Sequence, residues 1–343
     1  MIAIHNRPGS FSDKWIEYCE QNKVSYELID CFASDIIKQT KSISGLMWHW
    51  AHHDHKAALF ARQLTYSLEM MGKHVFPNSR TCWHYDDKVG QKYLLEAIGA
   101  PLVPSYVFYD KNQALDWAKT VAYPKVFKLR GGAGSANVKL VRDVAEANQL
   151  INQSFGKGFK YMNRMHLFRE RFWHLKRDKS LRSLLNISKG IGRLFIPTAG
   201  ELNFPAQRGY AYFQDFISDN DHDIRIIIIG QRAFAIKRMV REGDFRASGS
   251  GQIKYEQNQI PKACLELAFL LSQKIQTQCM AYDFVFCKNI PLLVECSYAF
   301  NQKGYLSCRG YWNAKIEWIE GPFSPEFFMV EDFLKLIETK GGL

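Results

Sequence analysis

The chain has 343 residues, 47% of them hydrophobic and 23% charged, which is the range of a folded globular protein and excludes a disordered one. No run approaches the ~18 apolar residues that a membrane-spanning helix needs, and Met1–Pro8 lacks the apolar stretch of a secretory leader, so a cytoplasmic location is expected. The net charge of +11 is uneven: between Phe155 and Ala206 eleven Lys and Arg face only Glu170, Asp178 and Glu201, a surplus of +8 that points to an acidic partner.

The length allows two to three domains. Ile2–Ile4, Tyr26–Ile29 and Ile43–Trp48 read as strands, and the latter two as buried ones. Phe11–Gln21, with Ser12 as a cap, and Ala57–Met71, stopped by Gly72, read as helices. This βαβα order predicts a small parallel sheet with covering helices. A helix over Asp87–Ile98 follows, closed by Gly99-Ala100-Pro101. Then come a strand at Tyr106–Tyr109, a helix over Gln113–Val121, and strands at Lys125–Leu129 and Val138–Val141.

After the basic stretch come two hairpin signals. Ile224–Ile229 and Ala233–Val240 flank Gly230-Gln231, and Cys279–Cys287 and Pro291–Cys296 flank Lys288-Asn289. A helix over Pro261–Gln276 lies between them. The class is α+β, with a front α/β unit and a later antiparallel sheet. The eight cysteines include no Cys-x-x-Cys pair and read as reduced thiols.

Two acids, Asp283 and Glu295, interrupt the apolar strands of the last hairpin. Two hard oxygen ligands across a tight turn suit Mg²⁺ on ATP phosphates, while acids on the solvent side of a strand are the alternative. Lys128 ends an apolar strand just before Gly131-Gly132-Ala133-Gly134-Ser135. This arrangement is either a phosphate-approaching loop or an ordinary hairpin turn, and it is neither a P-loop nor a dinucleotide fingerprint. Arg225 and Arg246 are either a clamp for a phosphoryl or carboxylate group or surface arginines at strand ends.

His49, His52 and His53 allow a zinc reading or a merely polar turn. Their place after an apolar strand also suits contact with an acceptor substrate. Cys82-Trp83-His84 reads as a buried Cys beside a surface His. The aromatics among the basic residues of 155–206 suit nucleic acid, an acidic polymer or an acidic protein tail, or an amphipathic helix docking on the protein's own surface or on acidic lipids.

Taken in order, Phe213-Gln214-Asp215-Phe216-Ile217, Asp223-Ile224-Arg225, Ile229-Gly230, Gly243-Asp244-Phe245-Arg246, Asp283 and Val294-Glu295-Cys296-Ser297 resemble the ATP-grasp superfamily. Within it they resemble the ribosomal-protein glutamate ligases and glutathione synthetases. The resemblance runs from about Asp87 to Phe300.

It implies an ATP-grasp fold in which sheets sandwich ATP. The N-terminal α/β domain would span 1–84, and the ATP-grasp region 85–154 and 207–343, with a lid at about 105–217, a catalytic part at about 218–343 and an insertion at 155–206. Lys88 and Lys128 would bind phosphates, and Gly132, Gly134 and Ser135 would belong to a closing loop. Gln214, Asp215, Phe216 and Ile217 would form the adenine hinge, with backbone groups of Asp215 and Ile217 on the base and Asp223 on the ribose. Arg225 and Arg246, with Lys128, would be catalytic, and Asp283, Glu295 and Ser297 would hold Mg²⁺. Ser297 and Ser248 replace family asparagines.

The implied activity is an ATP- and Mg²⁺-dependent carboxylate–amine ligase working through an acyl phosphate, expected as a homo-oligomer. A non-catalytic ATP-binding protein and a ligase for an anionic polysaccharide precursor are the alternatives.

Overall fold

Three sheets organise the chain. The computed structural model describes residues 1–132, 137–160, 203–240, 244–247 and 251–340. The N-terminal part runs β1 (Ile2–Ile4), α1 (Phe11–Gln21), β2 (Tyr26–Leu28), α2 (Ile36–Gln39), β3 (Gly45–Met47), α3 (His55–Met70), β4 (His74–Phe76) and α4 (Ser79–Cys82). Its strands pair in parallel, in the order β2-β1-β3-β4, as the alternation predicts.

Details depart from the sequence reading. The cap of α1 is Ser10, whose hydroxyl accepts from Ser12 N–H. The Ser12 hydroxyl instead turns back to Arg7 N–H and so holds the loop before the helix. β2 is a partly exposed edge strand, not a buried one. β4 and the two short helices span three or four residues each, too few to show a hydrophobic period.

Next comes α5 (Lys88–Ala97), capped by the Asp87 carboxylate on Gly90 N–H at 2.9 Å. The second sheet comprises β5 (Ser105–Phe108), β6 (Lys125–Lys128), β7 (Val138–Val141) and β8 (Ala211–Asp215), antiparallel in the order β5-β8-β6-β7. Helices α6 (Lys111–Thr120) and α7 (Val144–Phe155) cover one face through Ala114, Ala118, Ala147 and Ile151 against Phe127 and Phe213. Most of the basic stretch, residues 161–202, lies outside the described residues, and with it the expectation of an insertion that recognises an acidic partner.

The third sheet is built from β9 (His222–Ile229), β10 (Arg232–Met239), β11 (Ile253–Lys254), β12 (Cys279–Cys287), β13 (Ile290–Ser297), β14 (Gly310–Asn313) and β15 (Trp318–Glu320), with α8 (Lys262–Ile275) and α9 (Pro325–Lys340). Its order is β13-β12-β9-β10-β14-β15, antiparallel throughout, with β11 on β10. Both foreseen hairpins form. Lys288 and Asn289 take φ of 50° and 67°, the left-handed pair that a two-residue hairpin turn requires.

Alternation along these strands feeds two cores. Ile224, Ile226, Ile228, Tyr282 and Phe284 pack in the core shared with α3 and α8. Ile227, Ile229, Phe234, Ile236 and Ala281 pack with α1 and α9. All eight cysteines are free, and six are buried. No helix among the described residues is long and apolar enough to cross a membrane.

Candidate active site

The second of those two faces turns from apolar to charged at one end. Arg225 pairs with Asp283 across β9 and β12, Asp283 with Glu295 across β12 and β13, and Asp223 with Arg238 across β9 and β10. Directly opposed residues of an antiparallel pair point the same way, as do residues two apart, so these five charges share one face.

They neutralise one another in a chain. Arg225 donates both Nε and Nη2 to Asp283, each at 2.5 Å. Arg238 donates Nε and Nη2 to Asp223, both at 2.6 Å, and its Nη2 also lies 3.0 Å from Asp283 Oδ2. Burial alone would raise the Asp283 carboxyl, but Arg225 and Arg238 outweigh it and hold it well below the usual carboxylate range. Burial wins at Asp223, whose carboxyl is pushed up despite Arg238.

Lys128, at the end of β6, is buried and donates to Gln214 Oε1 at 2.6 Å, while Gln214 Nε2 donates to Ser105 Oγ. Burial lowers the Lys128 ammonium to about 8; Glu295 and Asp283 oppose that shift and Lys88 adds to it. Lys88 opens α5, where its N–H donates to Arg130 O. Its Nζ donates to Gly132 O at 2.8 Å and lies 3.8 Å from Glu295 Oε2. Asp86 accepts the Gly132 N–H at 2.7 Å, and burial raises its carboxyl to about 6. Gly132 has φ of +111°, which only glycine adopts easily.

One cavity of about 300 Å³ gathers most of these groups. Its lining includes Lys88, Lys128, Gly132, Gln214, Asp215, Phe216, Ile217, Asp223, Arg246, Asp283 and Glu295, together with Val103, Val126, Val138, Val240, Val285 and Val294. The valines form an apolar slot of the kind a purine fills, and the ionic groups cluster as a triphosphate requires. Asp215 N–H is already bonded to Pro104 O, so of its backbone only the carbonyl can meet a base. Its carboxylate is paired with Lys125.

Other expected residues sit apart. Arg225 lies behind Asp283 and does not line the cavity. Ser297 is also outside the lining, its hydroxyl donating to Ala299 O at 2.8 Å. Arg246 lines the cavity and donates to Asp244 through Nε and Nη2. Gly134, Ser135, Gly243 and Ser248 lie outside the described residues.

The acids fit a magnesium ion in part. A carboxylate offers about four lone-pair positions, so the three contacts from Arg225 and Arg238 leave Asp283 room for one more. Glu295 is about a third exposed and faces the cavity. No group of three or more His, Cys, Asp or Glu side chains among the described residues could hold a metal. An ion on Asp283 and Glu295 would therefore take its other oxygens from phosphates and water, the usual manner of Mg²⁺.

The chain matches solved structures along nearly its whole length. A RimK domain protein from Sphaerobacter thermophilus matches with a TM-score of 0.55 and 13% identity, over 97% of this chain and 99% of that one. The D-alanine–D-alanine ligase of Bacillus anthracis, complexed with ATP, matches at 0.56 and 13%, over 99% and 98%. The biotin carboxylase domain of Hydrogenobacter thermophilus 2-oxoglutarate carboxylase, with MgADP and bicarbonate, matches at 0.58 and 11%, over 97% and 69%. Residues 204–307 match the model of the RimK-like ATP-grasp domain. Residues 87–181 match that of the ATP-binding domain of the carbamoyl-phosphate synthase L chain. This is the ATP-grasp fold. The resemblance read from the sequence is thus to the superfamily whose fold the chain adopts. Comparison with curated proteins by sequence finds no match.

Within the ATP-grasp fold, sequence reasoning missed two participants. Arg238 was legible: a two-residue turn at Gly230-Gln231 fixes the register that sets it opposite Asp223. Asp86 gives no such signal, since its role depends on a loop 46 residues away. Among the histidines, His84 alone parts from expectation, while His49 and His52 sit in polar contacts. His49 Nδ1 meets Arg7 and Phe11 N–H, and His52 Nδ1 meets Tyr85 OH. His84 is fully buried, not on the surface, with Nδ1 3.8 Å from Cys296 Sγ.

Proposed function

We propose that the chain is an ATP-dependent ligase that joins a carboxylate to an amine and releases ADP and phosphate. The observation that carries this reading is the convergence of Lys88, Lys128, Asp283 and Glu295, from four separate elements, on one cavity with an apolar slot. In this reading residues 1–84 form the substrate-side domain, and 85–154 with 207–343 the ATP-binding region.

Amide formation in water is uphill, so the carboxylate must be activated. Its oxygen attacks the γ-phosphorus, the bond to the β-phosphate oxygen breaks, and ADP leaves. The amine nitrogen then attacks the acyl carbon, loses a proton, and phosphate departs. The protein supplies alignment and charge. Lys88 and Lys128 take the phosphate oxygens, and Lys128 is held toward them by Gln214 and Ser105. Val103, Val126, Val240 and Phe216 exclude water around the base. A Mg²⁺ held by Asp283 and Glu295 would neutralise charge on the phosphates. Arg238 and Arg246 are the guanidinium groups that line the cavity, and Arg246, not tied to the Asp223–Asp283 pair, faces the reacting atoms. Arg225 fixes Asp283 and reaches those atoms only when that pair opens.

A second reading, an ATP-binding protein with weak or no ligase activity, is favoured by Ser297, which replaces a family Asn and bonds within its own strand end. The test is ADP release by the purified full chain with ATP, Mg²⁺ and a panel of carboxylates and amines. Release that needs both partners supports the ligase. Tight nucleotide binding without release under any pair supports the second reading.

A further inference from the structure

Outside the nucleotide cavity, the carboxyl edge of the parallel sheet carries a cation that has no acid of its own among the described residues. In the order β2-β1-β3-β4 the strand order reverses between β1 and β3, and crevices at such a switch point are where open α/β sheets bind ligands. Arg7 follows β1, and His49–His52 follow β3.

Arg7 is half-buried and rigidly held. Its Nε donates to His49 O at 3.0 Å and its Nη2 meets His49 Nδ1 at 3.2 Å. The same Nδ1 accepts Phe11 N–H at 3.1 Å, so it carries no proton and the imidazole is the neutral Nε2–H form. The Phe11 ring stacks on His49 with centroids 3.7 Å apart. Two of the five guanidinium N–H groups are thus committed. Among the described residues no carboxylate forms an ion pair with Arg7, whereas Arg225, Arg232, Arg238 and Arg246 all have one.

From there a run of packed, buried side chains leads toward the phosphate end. His52 Nδ1 is 3.2 Å from Tyr85 OH, and burial, His53, Lys88 and Arg7 together keep His52 neutral down to about pH 4. Tyr85 packs on Trp50 and on Tyr298, three residues beyond Glu295, with centroids 4.7 and 4.5 Å away. Apolar rings, a neutral histidine and two cations, Arg7 and Lys88, lie in sequence from the sheet edge to the cavity.

We propose that Arg7 anchors a carboxylate that does not react, so that one substrate carries a carboxylate beyond the groups the new bond consumes. A planar guanidinium with N–H groups to spare and no acid of its own matches a carboxylate fork. This inference rests on the ligase reading. The extra carboxylate belongs either to an amino acid or peptide acceptor, or to a dicarboxylate donor.

The test titrates the full chain, saturated with ADP and Mg²⁺, with the common amino acids and their carboxamides, and with succinate and glutarate and their monoamides. The wild type is compared with Arg7→Gln. At least one acid is expected to bind, its amide at least tenfold more weakly, and Arg7→Gln to lose the same factor while binding ADP as the wild type does. The arm that responds identifies the substrate bearing the carboxylate. Equal binding of acid and amide, unchanged binding by Arg7→Gln, or no binder in either arm overturns the proposal. Should Arg7→Gln fail to fold, Arg7→Lys replaces it; the lysine keeps the charge but lacks the fork, and acid preference undiminished in that variant is likewise a refutation. ADP that fails to bind the wild type would sink the ligase reading itself, a distinct outcome.

Discussion

Asp283 and Glu295 stand opposite each other because β13 has one residue more than the ladder needs. The turn at Lys288-Asn289 sets Phe284 against Leu293, and regular pairing from there would set Asp283 against Val294. Glu295 would then point with Tyr282 into the other core. The register shifts between Asp283 and Phe284, Val294 absorbs the extra step, and Glu295 lands beside Asp283 over the cavity. Bulges beside active sites re-aim side chains in this way.

Glu295 is therefore the acid most available for chemistry. It is about a third exposed and has Lys88 at 3.8 Å, whereas Asp283 is committed to two arginines. Glu295→Gln keeps the shape and removes the charge. The expected result is a loss of at least ~100-fold in kcat with little change in melting temperature, since an electrostatic group at the reacting phosphates is worth about that much. Steady-state ADP release decides it, and near-normal turnover by this variant counts against the assignment.

Asp283 has the opposite balance. Its side chain is 7% exposed and answers the buried Arg238 and the part-buried Arg225. Asp283→Asn leaves Arg225 without its acid and Arg238 with Asp223 alone, and breaking a buried pair typically costs about 3–5 kcal/mol. Urea denaturation should show a loss of that size. The pH dependence has a definite sign. The folded carboxyl titrates below its unfolded value, so the stability it provides is complete above pH ~4 and fades as pH falls toward the folded value. In the variant this acid-side fall should be shallower.

Lys128 predicts a pH effect on the nucleotide. Its ammonium titrates near 8 in the free protein because it is buried. Phosphates favour the charged form, so ATP affinity should fall about tenfold between pH 7 and pH 9. Lys128→Gln should weaken ATP binding at pH 7 and flatten that dependence. Stability runs the other way: the folded value lies below the 10.5 of a free lysine, so the cost of the buried cation is full below pH 8 and is relieved as pH rises toward 10.5. Calorimetric titration of ATP at several pH values checks the first point.

Much of the architecture was legible because it is written in short-range patterns. The parallel sheet follows from βαβα order, and the hairpins follow from two-residue turns between alternating strands. Asp283 and Glu295 stood out as charges inside apolar runs. What local pattern cannot carry is long-range pairing: the Val294 bulge, the tie of Asp86 to Gly132, and the commitment of Arg225 to Asp283. The strands β14 and β15 and helix α9 lie beyond Phe300, where the family resemblance ends. α9 buries Met329, Val330 and Phe333, a helical spacing with no motif to draw notice.

Asp86 tests how the glycine loop is held. It takes φ of 54°, accepts Gly132 N–H at 2.7 Å, and titrates near 6 instead of 3.8, burial outweighing the pull of Lys88. An acid whose folded value is raised binds more protons folded than unfolded, so its contribution to stability falls as pH rises from about 4 to 6 and stays low above that. A carboxyl moved that far represents up to about 3 kcal/mol of unfavourable charge burial at pH 7. Asp86→Asn retains an oxygen for Gly132 N–H, and Asn tolerates the left-handed backbone. The variant should be about 1–3 kcal/mol more stable than the wild type at pH 7 and indistinguishable from it below pH ~4. Melting curves across that range decide between this account and one in which the charge itself holds the loop, for which Asp86→Asn would be destabilising at pH 7.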